Sequence, residues 1–157
     1  MMVCIRNMYE KEYPLLKDFL YEAIYIPEGV TPPPKSVVEI PELQVYIADF
    51  GKQKHDKAMV AEVEGKVIGA VWARIMQDYG HIDDDTPSLS ISLYKQYRGQ
   101  GIGTALLTKM LYGLKEAGYK QASLSVQKAN DAVRLYQRLG FETVGENTEE
   151  YIMKKQL

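Results

Sequence analysis

Three glycines occupy every second position in the stretch QYRGQGIGTALL, residues 96–107, directly before an apolar helical pattern. Glycine leaves no Cβ atoms at the start of a helix, where the first four amide N–H groups have no intrahelical partner. An anion can therefore approach the backbone closely, and a phosphate is the favoured guest. The stretch predicts a phosphate-binding loop that begins at Arg98 and runs into the helix.

Two common phosphate-binding motifs do not fit the spacing of these glycines. A P-loop needs G-x-x-x-x-G-K-[ST], and a dinucleotide fingerprint needs G-x-G-x-x-G with an acidic residue about 20 positions later. Gly99, Gly101 and Gly103 form G-x-G-x-G, and no lysine precedes Thr104. The position for a ribose-binding acid falls near Tyr119. The sequence raises three functional hypotheses, and nucleotide binding through this loop is the weakest of them. The other two depend on the features described below.

The composition is typical of one globular domain over residues 1–157. Of these residues 46% are hydrophobic and 25% charged, and the formal net charge is −2, a balance that fits a single core and provides no basic face for nucleic acid. No apolar run approaches the length of a signal-peptide core or a membrane span, so we expect no membrane partner and a cytoplasmic location.

Cysteine and histidine are scarce. The one cysteine, Cys4, cannot form an internal disulfide. Because it lies in a predicted first strand, we expect it to be a buried small hydrophobic residue. The two histidines, His55 and His81, are far apart in the sequence, and the sequence therefore predicts no metal site.

The hydrophobic periodicity predicts an α/β protein in which strands and helices alternate. The predicted strands are VCIRNM, the hairpin KAMVAEVEGKVIGAVWARI with its turn at Glu64-Gly65, SLSISLY, KQASLSVQ, and a pair within FETVGENTEEYIMKKQ. The predicted helices are EKEYPLLKDFLYEAIY, the short ELQVYIADFG, residues 102–117 ended by Gly118, and NDAVRLYQRL. A proline-rich stiff loop, residues 26–41, separates the first two helices. The glycine loop would then lie at the carboxyl end of a strand in a mixed central sheet of about six to seven strands flanked by about four helices.

Two segments carry a resemblance to a known family. YRGQGIGTALL resembles the R/Q-x-x-G-x-G/A signature of the GNAT acetyltransferases, with Arg98, Gly101 and Gly103 in its specified positions. NDAVRLYQRLGF is similar to that family's second segment, in which Asn130 opens a helix, Tyr136 follows within it, and L-G-F closes it. The resemblance implies the GNAT-like acyl-CoA N-acyltransferase fold over nearly the whole chain. It also implies an enzyme that transfers an acetyl group from acetyl-CoA to a primary amine by direct attack in a ternary complex.

The resemblance also implies where acetyl-CoA binds. Backbone amides of the glycine loop would hold the CoA pyrophosphate, and the side chain of Arg98 would add a cation. The implied loop residues are Arg98, Gly99, Gln100, Gly101, Ile102, Gly103 and Thr104. Backbone groups of Ile91, Ser92 and Leu93, on the strand before the loop, would bond the pantetheine amides as an added strand does. Asn130 would cap its helix and contact CoA.

For the chemistry, the resemblance implies that Tyr136 acts as the general acid. A phenol with an ordinary pKa near 10 can donate a proton to a departing thiolate. The alternative is that Tyr136 is a core aromatic residue, because it shares one helical face with Ala132, Leu135 and Leu139. A backbone N–H near Leu93 would stabilise the oxyanion.

The general base is not evident, because SLSISLY contains no carboxylate. The loop DYGHIDDD supplies Asp78, His81, Asp83, Asp84 and Asp85 for a base that acts through water. Of these, His81, Asp84 and Asp85 are the candidates on the acceptor side, and Glu28 is a further one. Their charge would favour a cationic acceptor, either a small-molecule amine or a peptide N-terminus. A non-catalytic acyl-CoA-binding or sensor module of the same fold is the alternative function. Either a monomer or a homodimer is compatible with the sequence.

Overall fold

The computed structural model describes residues 2–157 and contains seven strands and four α-helices. The strands are β1 (Val3–Asn7), β2 (Lys57–Val63), β3 (Lys66–Arg74), β4 (Ser88–Leu93), β5 (Gln121–Gln127), β6 (Glu142–Glu146) and β7 (Glu150–Gln156). The helices are α1 (Leu16–Glu22), α2 (Pro41–Gln44), α3 (Ile102–Glu116) and α4 (Ala132–Arg138). Within residues 2–157, no helix has the length and apolar character needed to cross a bilayer.

All seven strands form one mixed sheet in the order β1-β2-β3-β4-β5-β7-β6. The pair β4–β5 is parallel and the other neighbouring pairs are antiparallel. The predicted mixed α/β fold, with six to seven strands and about four helices, is therefore confirmed.

Each face of the sheet has its own hydrophobic core. Helices α3 and α4 cover one face, where the residues at helical spacing along α3, Ile102, Leu106, Met110 and Leu114, are buried. Helix α1 and the turns around α2 cover the other face, over Phe19 and Trp72. We call these the α3/α4 face and the α1/α2 face.

The alternation of side chains along β4 assigns its residues to the two faces. Leu89 and Leu93 belong to the core of the α3/α4 face. Ser88 and Ser92 lie on the α1/α2 face, where the Ser92 hydroxyl donates to the carbonyl of Phe19 at 2.6 Å. The strand SLSISL is thus apolar toward one helical layer and polar toward the other.

A gap opens between β4 and β5, in the middle of the sheet. Among residues 2–157, the two strands are joined through a single register position, Ser88 opposite Ser123, at their amino-terminal ends. The Ser123 N–H also donates to the carbonyl of Pro87 at 2.9 Å. Beyond this point the ladder stops, so the facing backbone groups of β4 and β5 are open toward the carboxyl ends of both strands.

A buried ion pair lies at the carboxyl end of β3, between Arg74 and Asp56. Arg74 Nε lies 2.9 Å from Asp56 Oδ1 and its Nη2 lies 2.9 Å from Asp56 Oδ2, with both side chains almost completely buried. Arg74 also donates to the carbonyl of Val45 at 3.1 Å. The pair is bidentate and fully hydrogen-bonded, which compensates for burying the two charges.

The structure differs from the prediction in three connecting segments. The first predicted helix is a 3₁₀ segment, Glu10–Leu15, that passes into the shorter α1, because Pro14 cannot donate a helical hydrogen bond. The proline-rich loop includes one regular element, a 3₁₀ segment at Lys35–Glu39. Helix α2 ends at Gln44 and is followed by turns up to Gly51.

The expected burial of Cys4 is wrong, because its side chain is exposed. Cys4 lies on the edge strand β1 directly opposite Glu62. Its neighbours Val3 and Ile5 pack against the core of the α3/α4 face. Alternation then turns Cys4 to the other side of the strand, toward Glu62.

Candidate active site

The glycine loop connects the carboxyl end of β4 to α3. Gly99 has a φ of +74° and Gly101, the N-cap of α3, has a φ of +83°. Residues other than glycine adopt this left-handed region only with strain. No atom lies within 4 Å of an ideal Cβ placed on either glycine. The loop thus exposes bare backbone on an open side.

The start of α3 has amide donors free for a ligand. The first hydrogen bond of the helix runs from the Ala105 N–H to the carbonyl of Gly101 at 3.1 Å, and no side chain caps this end. The N–H groups of Ile102, Gly103 and Thr104 therefore have no intrahelical acceptor. Together with the positive end of the helix dipole, they form a site for an anion.

Arg98 is held by the protein itself. Its Nε donates to the carbonyl of Leu93 at 3.0 Å, and its Nη2 donates to the carbonyl of Glu22 at 3.1 Å. The Glu22 carboxylate lies 3.6 Å from the same Nη2. Arg98 therefore fixes the loop against β4 and α1, and its predicted contact with a phosphate stays a prediction.

The register of β3 and β4 decides which backbone groups of β4 face the gap. The Tyr94 N–H bonds the carbonyl of Ile68 at 3.0 Å, and hydrogen-bonded pairs alternate along an antiparallel ladder. Ser92 and Ala70 stand opposite each other and therefore form a hydrogen-bonded pair between β4 and β3. Ile91 and Leu93 have the other parity, so both backbone groups of Ile91 and the N–H of Leu93 point toward the gap, whereas the Leu93 carbonyl accepts from Arg98. Of the three predicted pantetheine contacts, the geometry favours Ile91 and Leu93 over Ser92.

Helix α4 begins at the carboxyl end of β5, on the other side of the gap. The Asn130 side-chain oxygen accepts from the Ala132 N–H at 2.9 Å, and its carbonyl accepts from the Val133 N–H at 3.1 Å. Asn130 thus binds amides of the first turn of α4 from the position before the N-cap, Asp131, and its predicted contact with CoA stays a prediction. The Cδ2 atom of Leu135 is 4.0 Å from an ideal Cβ on Gly103, so the first turn of α3 lies close to α4.

Tyr136 lies inside α4, turned into the α3/α4 face. It is buried in the core and packs edge-on against Phe141, with ring centroids 6.0 Å apart. Burial raises the pKa of the Tyr136 phenol to about 12, so the hydroxyl remains protonated at neutral pH. Both sequence-based interpretations, the core aromatic and the acid, are compatible with this position.

A cavity of about 430 Å³ lies at the carboxyl end of β5. Three loops surround it: the one that follows α1, the one between β5 and α4, and the one between β6 and β7. Its lining residues are Tyr25, Pro27, Gln127, Lys128, Ala129, Thr148 and Glu149. The Tyr25 hydroxyl donates to the carbonyl of Ala129 at 3.2 Å and joins two of the loops. The predicted acceptor-side residue Glu28 is exposed and directly follows the lining residue Pro27 in the sequence.

The other predicted acceptor-side residues lie elsewhere. Asp83 accepts from Gln121 at 3.3 Å, which fixes the acidic loop at the amino-terminal end of β5. Asp84 and Asp85 are exposed there, at the end opposite the glycine loop. His81 Nε2 lies 3.5 Å from Asp84 Oδ1, and its buried Nδ1 has no partner among residues 2–157. The structure therefore does not bring Asp84 or Asp85 to the glycine loop.

A second cavity, of about 490 Å³, lies at the amino-terminal end of β4, the same end of the sheet as the acidic loop. It is bordered by the turns after α2 and by the end of β3, next to Arg74. Its lining residues are Val45, Ala48, Asp49, Lys52, Gln53, Arg74, Ile75, Met76 and Gln77. The full length of β4 separates it from the glycine loop, so it does not belong to this site.

The structure reveals a polar cluster on the α1/α2 face, formed by Tyr46, Asp78, Ser125 and Glu150, of which the sequence indicated only Asp78. The loop that carries Asp78 lies across β5, where the Ser123 hydroxyl donates to the carbonyl of Gly80 at 2.9 Å. Burial raises the pKa of both carboxyl groups. Burial also raises the pKa of the Tyr46 phenol to about 12, and the charges of Asp78 and Glu150 add to this effect. No motif could have revealed this cluster, because its members come from four distant parts of the chain.

Comparison with known sequences gives a family match. The sequence model of the Acetyltransferase (GNAT) family matches residues 17–141. An N-alpha-acetyltransferase of Sulfurisphaera tokodaii is 37% identical over 108 residues, which are 63% of this chain and 64% of that protein. Human N-acetyltransferase 8B is 34% identical over 89 residues, which are 56% of this chain and 39% of that protein. The matched part therefore spans less than two thirds of each of these relatives.

Solved structures share the fold over the whole chain. The PaiA N-acetyltransferase of Thermoplasma acidophilum, solved with coenzyme A, has a TM-score of 0.70 at 18% identity and covers 100% of both chains. The ribosomal-protein-S18-alanine N-acetyltransferase of Escherichia coli has a TM-score of 0.69 at 19% identity, over 99% of this chain and 94% of that one. A phosphinothricin acetyltransferase of Sinorhizobium meliloti, solved with AcCoA, has a TM-score of 0.69 at 21% identity, over 100% and 89%.

Proposed function

We propose that this chain, which belongs to the GNAT acetyltransferase family, transfers an acetyl group from acetyl-CoA to a primary amine of a small molecule or peptide. The observation that carries the proposal is the gap between β4 and β5, with the glycine loop and the start of α3 at its open end. Residues 1–157 would act as one transferase domain.

Acetyl-CoA fits this site in two places. Its pyrophosphate would accept from the amides at the start of α3, where the open φ-positive glycines leave room for close approach. Its pantetheine arm would run along β4, where Ile91 and Leu93 direct backbone groups into the gap as an unpaired strand edge does. The thioester would then lie deep in the gap, between the two faces of the sheet.

The residues around the gap support direct attack in a ternary complex. The Leu93 N–H would donate to the oxygen of the thioester carbonyl as negative charge develops on it, which is the role of an oxyanion hole. Tyr136, protonated at neutral pH, would give its proton to the departing thiolate. No residue on β4 or α4 needs to form a covalent bond with the acetyl group.

The acceptor would enter from the cavity of about 430 Å³ at the carboxyl end of β5. Glu28 and Glu149 are exposed around this opening, and their charge favours a cationic amine. The cavity is open and bordered by three loops, which fits a peptide N-terminus as well as a small amine. The Sulfurisphaera relative carries the name N-alpha-acetyltransferase, which supports the peptide class.

One observation favours the alternative, a non-catalytic acyl-CoA-binding module of the same fold. Strand β4 carries no carboxylate, so it supplies no base beside the thioester. Both functions need the same glycine loop. They differ only in turnover.

A thiol-release assay tests the proposal. Purified protein is mixed with acetyl-CoA and a panel of amines, amino acids and peptides with free N-termini, and free CoA is measured. In parallel, acetyl-CoA should raise the melting temperature, because it binds only the folded chain. Release of CoA that depends on the acceptor would support the transferase. A clear thermal shift without release for any acceptor would favour the binding module, and a larger shift with ATP or NAD would contradict both.

A further inference from the structure

Transfer to an amine requires a group that takes up a proton. A primary amine is mostly protonated at neutral pH and must lose a proton before its nitrogen can attack a carbonyl carbon. Tyr136 cannot take it, because it enters the reaction as a proton donor on the α3/α4 face. The acceptor side of the gap, on the α1/α2 face, must therefore supply the base.

Glu150 lies on that face beside the gap. It is the first residue of β7 and stands directly opposite Gln127 at the end of β5. Residues opposite each other in an antiparallel pair share a face, and Gln127 shares its face with Ser125, two residues earlier. Ser125 lies on β5, which borders the gap, and its hydroxyl is close enough to the Glu150 carboxylate to lower the pKa of that group. Only one strand thus separates Glu150 from the gap.

The backbone of Glu150 is well fixed. Its N–H donates to the side-chain oxygen of Asn147 at 2.7 Å, and its carbonyl accepts from the Asn147 N–H at 3.0 Å. The Lys128 N–H donates to the carbonyl of Glu149 at 2.8 Å and joins this turn to the end of β5. The backbone of Glu150 is therefore held between Glu149, which lines the cavity where the acceptor would enter, and β5, which borders the gap.

We propose that Glu150 is the general base that accepts the proton of the acceptor amine, and that Ser125 is the residue that positions it. This inference rests on the proposed transferase function. It assigns the role that no residue of β4 can fill.

Asp78, the other carboxylate of the cluster, is less suited to this role. It accepts from the Ser88 hydroxyl at 3.1 Å and from backbone N–H groups of its own loop, including that of Gly80. These bonds hold the loop across β5. Glu150, by contrast, is only half-buried and follows Glu149, which lines the cavity. Its carboxylate is therefore more accessible to an acceptor than that of Asp78.

The charges around Glu150 suit a base that works near neutral pH. Burial, together with the charges of Glu149 and Asp78, raises the pKa of Glu150, while the Ser125 hydrogen bond lowers it. Tyr46 faces it as a neutral phenol. Lys128, on the loop that follows β5, pairs with Glu146 at 2.5 Å. A carboxylate with a raised pKa is a stronger base than an ordinary one.

The proton balance of the reaction is then complete. The acceptor ammonium gives one proton to Glu150, and its nitrogen lone pair forms the C–N bond at the thioester carbonyl. The C–S bond breaks with its electron pair on sulfur, and the thiolate takes the proton of Tyr136. Of the two protons left on nitrogen, one stays on the amide and the other leaves to solvent, from which Tyr136 is protonated again. Glu150 releases its proton to solvent, so each turnover yields one net proton.

Glu150→Gln tests the assignment and keeps the size and the hydrogen bonds of the side chain. We expect kcat to fall about 10²- to 10⁴-fold, the usual effect of losing a positioned base, while the thermal shift caused by acetyl-CoA is unchanged. Glu142→Gln, on the exposed part of the neighbouring strand β6, is the matched control and should retain wild-type kcat. An active wild-type protein whose Glu150→Gln variant stays within threefold of it would overturn the assignment alone. A wild-type protein that binds acetyl-CoA but transfers nothing would overturn the proposed function together with it.

The pH dependence of kcat provides the second readout, because it reports the ionisation of groups in the ternary complex. Ser125→Ala removes the bond that lowers the pKa of Glu150, so the acidic limb should move to higher pH. Asp78→Asn removes a charge that raises the pKa, so the same limb should move to lower pH. A purely structural role for the cluster would give shifts of the same sign or none, and that result would overturn the assignment.

Discussion

The two faces of the sheet at the β4–β5 gap are built in different ways. On the α3/α4 face, the glycine loop, the start of α3 and Tyr136 belong to two short continuous segments of the chain. On the α1/α2 face, Tyr46, Asp78, Ser125 and Glu150 come from four separate segments and meet only in the folded protein. The first face depends mainly on backbone groups, and the second depends on side chains.

This difference corresponds to two kinds of ligand. A diphosphate is bound by amide N–H groups and a helix dipole, which need glycine spacing but few particular side chains. An acceptor amine must be recognised and deprotonated by specific side chains, and loops can supply them in many combinations. We therefore expect substitutions on the α3/α4 face to change acetyl-CoA binding and thiolate release, and substitutions on the α1/α2 face to change acceptor use.

The largest expected effect comes from Tyr136→Phe, which removes one hydroxyl and keeps the ring against Phe141. If the phenol protonates the thiolate, kcat should fall about 10²- to 10⁴-fold, while acetyl-CoA affinity and melting temperature change little. Steady-state kinetics with an active acceptor and a thermal melt measure both.

The core-aromatic alternative predicts the reverse for the same variant. Loss of a hydroxyl that only packs would leave kcat within threefold of wild type and would change the stability by about 1 kcal/mol. That outcome would remove Tyr136 from the mechanism and leave the α3/α4 face with a purely binding role.

The next effect concerns the backbone of the glycine loop. Gly101→Ala places a methyl group where the ligand approaches, and loss of one charge-assisted hydrogen bond should weaken acetyl-CoA binding roughly 10- to 100-fold. Gly118→Ala is the matched control, because Gly118 also has a positive φ, +96°, and open space around an ideal Cβ, but lies at the far end of α3. Calorimetric titration should show the loss in the first variant alone, with similar destabilisation of both. Equal affinities would show that the loop does not contact the ligand.

Much of the α3/α4 face was predictable from sequence because its signals are local. The spacing of Gly99 and Gly101 was sufficient to place the loop, since positive φ and a bare helix start both require glycine. The buried stripe of α3 followed from its helical period. That Asn130 binds the first turn of α4 followed from its residue type and position.

The α1/α2 face was not predictable in the same way. The run of acids DDD predicts that Asp84 and Asp85 lie on the acceptor side, yet the structure places them at the amino-terminal end of β5. Glu150 looks like one of several charged residues in an exposed hairpin, and only the pairing of β7 with β5 brings it beside Ser125. Cys4 was assigned to the core because the sequence did not reveal that β1 is an edge strand. Each of these errors depends on a long-range strand pairing.

A smaller effect separates the acidic groups by location. Glu28→Gln changes the exposed residue that follows Pro27. It should raise the KM for a cationic acceptor about two- to fivefold, because one exposed charge contributes up to about 1 kcal/mol. The KM for acetyl-CoA should be unchanged. The double variant Asp84→Asn with Asp85→Asn makes a larger charge change at the opposite end of the sheet and should leave both KM values unchanged. A larger effect of the double variant would place the acceptor at the acidic loop and contradict the assignment of the cavity.

The smallest effect compares the two tyrosines whose pKa is raised to about 12, one on each face. Because the folded-state pKa lies above the ordinary value near 10, each neutral phenol stabilises the fold fully below pH 10. This stabilisation is lost as the pH rises from 10 to 12, by up to about 1.4 kcal/mol per pH unit and group. Tyr136→Phe and Tyr46→Phe should therefore each make the unfolding free energy, measured by urea titration, fall less steeply between pH 9 and 11.

The causes of the two raised pKa values differ, because burial alone raises the pKa of Tyr136 whereas the charges of Asp78 and Glu150 add to burial at Tyr46. Glu150→Gln should thus reduce the alkaline contribution of Tyr46 and leave that of Tyr136 unchanged, and equal effects on both would mean that Glu150 does not face Tyr46.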